Sequence, residues 1–335
     1  MKNVIGSLLV FIVVSPVALN AEAARYRITE LAAPAGADSY AMAINNKGSI
    51  VGRANDHAAL WRNNKLLDLA TFGYEVGLAV DINDKGQVVG VAYDDPPTRD
   101  SWKAFLWEEG KVTDIRPYKR RLVSVRGINN SSQVVGDADG IVGFVWNKHG
   151  VRDIGRLRRW EDMIIPHSIN NKGQVVGETH TLAFVWRAGK MTALPALSGM
   201  EASRALAIND SGTVAGTSYI LFDCSGGKHV KRACLWERGR VVALGALADG
   251  WSDALDINNK KQIVGTSGVC GNDLSREAER AFLWQKGKML DLNGLIPSDS
   301  GWVLREAHGI NDAGQIVGDG DLKGHKRAFL LTPVP

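Results

Sequence analysis

Arg126, His167, Arg204, Asp253, Glu306 and His308 are the side chains whose types could do chemistry. Guanidinium, imidazole and carboxylate groups gathered around one cavity can move protons or hold a polar ligand. Each stands two to five residues ahead of an Ile-Asn pair, and the same positions elsewhere hold small or apolar residues, as in "AMAIN" and "ALAIN". Ordinary ion pairing at a solvated channel mouth accounts for the set equally well. A second group is aromatic: Tyr40, Tyr74, Tyr118, Trp160, Trp251 and Trp302 fall between or just ahead of the patterned segments. Such rings stack on sugars and anchor protein partners, or they plug gaps between packed elements.

What positions these residues is a repeat. The Ile-Asn pair recurs at Asn45, Asn83, Asn129, Asn170, Asn209, Asn258 and Asn311, at intervals of 38 to 53 residues. A polar turn such as "NNKG" follows each pair, then an apolar run ending in Gly ("QVVG"), then "AFLW" or a variant, then a run such as "KVTDIR". Each unit holds four short runs rich in Val, Ile, Leu, Phe and Trp and bounded by Gly, Asn, Asp and Lys. That is the pattern of β-strands, at the size of a propeller blade. Seven units predict an all-β, seven-bladed propeller of four-stranded blades. The last unit ends at "RAFLLTPVP" without a fourth strand, and "RYRITEL" (Arg25 to Leu31) resembles the missing one, so the N-terminal strand is expected to complete the last blade. An open β-solenoid is the competing architecture. The recurring Trp61, Trp107, Trp146, Trp186, Trp236 and Trp284 read as packing between blades, each N–H finding a carbonyl.

The units resemble the bacterial HAF repeat of extracellular repeat proteins. That repeat joins Ile-Asn-x-x-Gly-x-Val-Val-Gly to His-Ala-Phe-Leu-Trp and Met-x-Asp-Leu-Gly. The resemblance covers residues 40 to 332. Here Lys103, Leu182, Arg280 and Arg327 stand where the repeat has His, and only His57 in "HAAL" keeps it, so that His is not a required ligand. The resemblance implies export and repetition, and brings no reaction with it.

The N-terminus agrees with export. Lys2, the apolar run Val4 to Val14 and the small residues of Ala21-Glu22-Ala23 read as a signal peptide cut after Ala23, leaving residues 24–335 as one domain. No anchor would remain across the membrane, and the mature chain is expected in the periplasm or outside the cell. An oxidising compartment lets Cys224 and Cys270, in corresponding links of adjacent units, pair as a disulfide, while Cys234 takes a core Phe position. Net charge is +4, and the basic clusters at Arg116 to Arg126 and Arg156 to Arg159 read as solvated surface, not a nucleic-acid site.

No zinc spacing, phosphate-cradling glycine loop or nucleophile elbow occurs. The carboxylates of Asp137 to Gly140 and Asp319 to Asp321 lack the regular donors of a calcium loop. No metal or cofactor is expected. Links between strands one and two, and three and four, are tight, while the other two are long and irregular. In an up-and-down blade the irregular links share one face, which is where binding is expected. The sequence thus predicts an exported, monomeric, non-catalytic binding module for an envelope, polysaccharide or protein ligand. Its candidate ligand residues are Tyr74, Trp160, Trp251, Trp302 and the six charged or titratable side chains above. A polysaccharide lyase or glycosidase working in the central channel is the alternative, and a purely structural surface protein is a third.

Overall fold

The computed structural model describes residues 25–69, 73–95, 102–119, 122–158, 163–220, 231–248, 250–268 and 278–334. The expected signal segment, Trp160, Cys224 and Cys270 lie outside these residues. Seven four-stranded antiparallel sheets follow one another as blades. Blades 1 to 6 take residues 39–68, 76–114, 123–153, 165–194, 202–245 and 251–291, each in simple up-and-down order. Blade 7 takes its three inner strands from residues 302–333 and its outermost from Tyr26–Glu30. Tyr26 pairs with Pro333 and Glu30 with Phe329, so both chain ends complete one sheet. The fold is the expected seven-bladed propeller, closed as the sequence predicts. Closure covers the edge of the last strand, which would otherwise be open to further pairing. Among the described residues no helix is long and apolar enough to cross a membrane.

The third strand shows why the repeat reads as it does. In Lys103–Glu108, Phe105 and Trp107 pack with Val51 and Leu60 of blade 1, while Ala104 and Leu106 pack with Val123 and Phe144 of blade 3. Successive side chains of a strand point to opposite faces. A strand buried on both faces must therefore be apolar throughout, which is the "AFLW" signature. Outermost strands such as Gly150–Asp153 are exposed and carry the mixed sequence. The tryptophans bridge blades as expected: Trp61 Nε1 donates to Ala32 O at 2.6 Å and Trp236 Nε1 to Pro195 O at 2.7 Å, each in the link leading into its own blade. Cys234, in the Phe position of blade 5, is fully buried and free, and burial pushes its thiol up to about 12.

The Gly closing each second-strand run has a steric cause. A Cβ on Gly52 would lie 1.9 Å from Tyr40 O, and one on Gly136 2.0 Å from Ser124 O. The innermost strand presses its carbonyl against this position, and only Gly leaves room.

Candidate functional site

That pressure comes from a β-bulge in every innermost strand. Pairing with the second strand slips at Met42, Val80, Arg126, His167, Leu206, Leu255 and His308. A bulge re-aims a side chain. Here it turns one residue per blade into the axial channel, where all seven line a common cavity of about 300 Å³. The channel wall is thus uneven by sequence: Arg126, His167 and His308 stand among Met42, Val80, Leu206 and Leu255.

This cavity opens on the face of the tight turns, and its rim is built from the repeat motif itself. Asn45 Oδ1 accepts from Lys47 N and Ser49 N, which folds the turn. Its Nδ2 donates to Asn83 O of the next blade at 2.9 Å. Asn83, Asn129, Asn170, Asn209, Asn258 and Asn311 repeat the step at 3.0–3.1 Å, the last returning to Asn45 O. Asn46, Asp84, Asn130, Asn171, Asp210, Asn259 and Asp312 make a second closed ring, each backbone N–H donating to the next residue's Oδ1 at 2.8–2.9 Å. The Asn-Asn-Lys-Gly centre is therefore a turn, as expected, and also the seam between blades. Its three carboxylates are committed to this ring.

Two further carboxylates in this wall are unusual. Asp81 Oδ1 accepts from Ile82 N and Oδ2 from Ile128 N of blade 3, both at 2.8 Å. Asp256 does the same with Ile257 N and Ile310 N of blade 7. Burial pushes Asp81 up to about 7 and Asp256 up to about 6, outweighing the two backbone donors at each.

Five of the six predicted channel residues have hydrogen-bonded side chains. Arg126 Nε lies 3.4 Å from Asp137 Oδ2, His167 Nε2 3.0 Å from Glu178 Oε1, and His308 Nε2 2.8 Å from Asp319 Oδ1. Arg204 Nη2 and Lys231 Nζ hold Asp253 at 2.9 and 3.2 Å, and Thr217 Oγ1 donates to it at 2.6 Å. Burial would raise the Asp253 carboxyl, but the Arg204 and Lys231 charges and the Thr217 bond hold it below the usual range. Asp137 goes the other way, burial winning over Arg126. Asp137 and Asp319 thus each pair with a channel residue of their own blade. Glu306 lies 3.8 Å from His308 and makes no hydrogen bond among the described residues. Arg126 and His167 face the tight-turn cavity, Glu306 the opposite one and His308 both, while Arg204 and Asp253 line neither. The six do not form one catalytic cluster.

The aromatic residues divide as well. Tyr74 packs on the blade 1–2 core, and Trp302 meets Phe329 edge-on at 6.0 Å. Trp251 lies against Gly268, with Lys231 Nζ 5.1 Å from its ring. Tyr40, Trp251 and Trp302 belong to innermost strands rather than to the links where the sequence placed them.

A second cavity, of about 340 Å³, opens on the irregular-loop face between blades 7, 1 and 2. Met42, Leu78 and Val91 give it apolar walls, and Glu306, His308 and Asp319 a polar end. Tyr93 and Trp102 stack at 4.9 Å with planes 6° apart, and Trp102 Nε1 is fixed by Val123 O at 2.9 Å. Arg53 lies 5.2 Å from the Tyr40 ring centre and 3.5 Å from Asp56. Of this site the sequence singled out Tyr40, Glu306, His308 and Asp319. Tyr93 and Trp102 carried a signal that went unused, since they flank the long link between strands two and three of blade 2.

Comparison with known proteins is consistent with the architecture. A family model described as a protein of unknown function (DUF3466) matches residues 198–330. No curated protein matches the chain significantly. Among solved structures, the extracellular domain of a hybrid two-component system from B. thetaiotaomicron is similar at 9% identity and a TM-score of 0.57. That match covers 90% of this chain and only 39% of the other. YCF48 bound to a D1 peptide matches at 11% identity and a TM-score of 0.59, over 94% and 96% of the two chains. The GH74 xyloglucanase of Xanthomonas campestris matches at 13% and 0.52, over 89% and 44%. At such identities the likeness is one of fold.

Proposed function

We propose that this chain is an exported, HAF-type repeat propeller that binds a ligand at its irregular-loop face without transforming it. The observation that carries the reading is the cavity between blades 7, 1 and 2, with its stacked Tyr93–Trp102 wall. A concave, largely apolar site with a few polar groups at one end is how small-ligand and side-chain recognition is built. Support for binding over catalysis comes from the pairing of Arg126, His167, Arg204 and His308 with carboxylates of their own or a neighbouring blade. Export rests on the N-terminal sequence, and one solved neighbour is itself an extracellular domain.

The test is retention of the purified mature chain on isolated bacterial envelope, including its polysaccharide. Wild type should be retained and Trp102→Ala released, with both variants giving the same sheet signal by circular dichroism. Equal retention of the two would place binding elsewhere. Release of reducing or unsaturated sugar from the envelope would favour the enzyme alternative.

A further inference from the structure

The chemistry of the loop-face cavity is more specific than its position. Its polar end holds two carboxylates, Glu306 and Asp319, around one imidazole, His308. The cationic side chain in the wall, Arg53, is engaged by Asp56 and lies over the Tyr40 ring. Asp319 is almost fully buried and accepts from His308 at 2.8 Å, which fixes the imidazole. Glu306 is different: its side chain is 28% exposed, it makes no hydrogen bond among the described residues, and it faces the cavity. A carboxylate in a mostly apolar recess gains most from a ligand that brings a positive charge and N–H donors. The rest of the lining, Tyr93 and Trp102 stacked together with Leu78, Val91 and Met42, suits a compact ring, and aromatic faces favour a nearby cation. At about 340 Å³ the space suits one ring system rather than a chain of them.

We propose that this cavity binds a protonated amine carried on a compact ring, with Glu306 as the group that reads the charge and the Tyr93–Trp102 wall as the group that reads the ring. The proposal rests on the reading of this mouth as a binding site. The ring can be apolar, as in an arylalkyl amine, or a sugar, as in a free amino sugar, and the charge requirement is common to both.

The experiment uses two matched pairs of probes, 2-phenylethylamine against 2-phenylethanol and glucosamine against glucose, titrated calorimetrically into the mature chain. At least one amine should bind about tenfold or more tightly than its neutral partner, since a charge-assisted contact in such a recess is worth about that factor. Glu306→Gln, which keeps the shape, should bring the amine down to the level of its neutral partner. Tyr93→Leu should weaken the amine and the neutral compound together. Which pair shows the selectivity identifies the ring. Equal binding of amine and neutral partner, or selectivity that survives Glu306→Gln, overturns the proposal. Failure of both amines to bind overturns it too; if Trp102→Ala still abolishes envelope retention, the binding-module reading stands without it.

Discussion

Asn129 carries two kinds of bond on one side chain. Its Oδ1 accepts from Ser131 N and Gln133 N within its own turn, and its Nδ2 reaches Asn170 O in the next blade, all at 3.0 Å. Asn is the side chain that fits, because the site needs an acceptor and a donor a carboxamide apart. Substitution separates the two roles. Asn129→Asp keeps the acceptor, removes the donor and sets a charge against a carbonyl oxygen. Asn129→Ala removes everything. In urea unfolding the Asp variant should lose about 1–3 kcal/mol and the Ala variant more, as expected for buried groups left without partners. An Asp variant as stable as wild type would mean that the inter-blade bond contributes nothing and that the motif only turns the chain. Sequence reasoning found the turn and not the seam, because the second partner lies 41 residues away and belongs to another copy of the same motif.

At the scale of a strand pair, the bulge and the glycine behind it are one device. Gly136→Ala would place a Cβ 2.0 Å from Ser124 O, so the two inner strands of blade 3 must part. A loss of roughly 3 kcal/mol or more is expected. Gly140→Ala is the control: its φ of +70° is unfavourable for Ala but nothing lies within 4 Å, and about 1–2 kcal/mol should be lost. If thermal melts show equal losses, backbone conformation rather than contact makes the repeat glycine necessary. The same pairing explains what the sequence disclosed. Blades, strand order and closure were legible because each unit repeats one burial pattern seven times. Arg126, His167 and His308 were legible as channel residues because they share a position ahead of Asn. Their partners Asp137, Glu178 and Asp319, each 11 residues further on, share a position as well, in the second strand. Reading only the innermost strand left three charges without visible counterparts and made acid–base chemistry look open. Tyr93 and Trp102 stayed hidden for another reason: they meet across a link whose length and sequence no other blade copies.

Around the whole ring, two latches and two stitches hold the blades. The outer latch is Tyr26–Glu30 on Phe329–Pro333, and the inner is Asn311 on Asn45 together with Asp312 on Asn46. Removing residues 1–31 should leave the inner latch alone, with the strand edge at 325–333 exposed. Such a chain should melt lower and self-associate in analytical ultracentrifugation, and a monomer of unchanged stability would show that the outer strand is dispensable. The stitches are Asp81, joining blades 2 and 3, and Asp256, joining blades 6 and 7. They bound two arcs of different character: blades 3 to 6 hold the ion pairs from Arg126 to Asp253, and blades 7, 1 and 2 hold the loop-face cavity. Both stitches are set to titrate near neutrality, at about 7 and about 6, against 3.8 for the unburied carboxyl. Between those values and 3.8 the folded chain keeps protons that the unfolded chain has released, so their contribution is complete below pH 4 and lost as pH rises through 6 and 7. Melting temperature should therefore fall from pH 5 to pH 8, by an amount equivalent to a few kcal/mol, and level off above. In the Asp81→Asn, Asp256→Asn double variant the chain should be less stable throughout, since each amide can accept only one of the two N–H bonds, but the fall between pH 5 and 8 should disappear. A slope that persists in the double variant would assign the pH dependence to other groups and leave the two arcs joined by geometry alone.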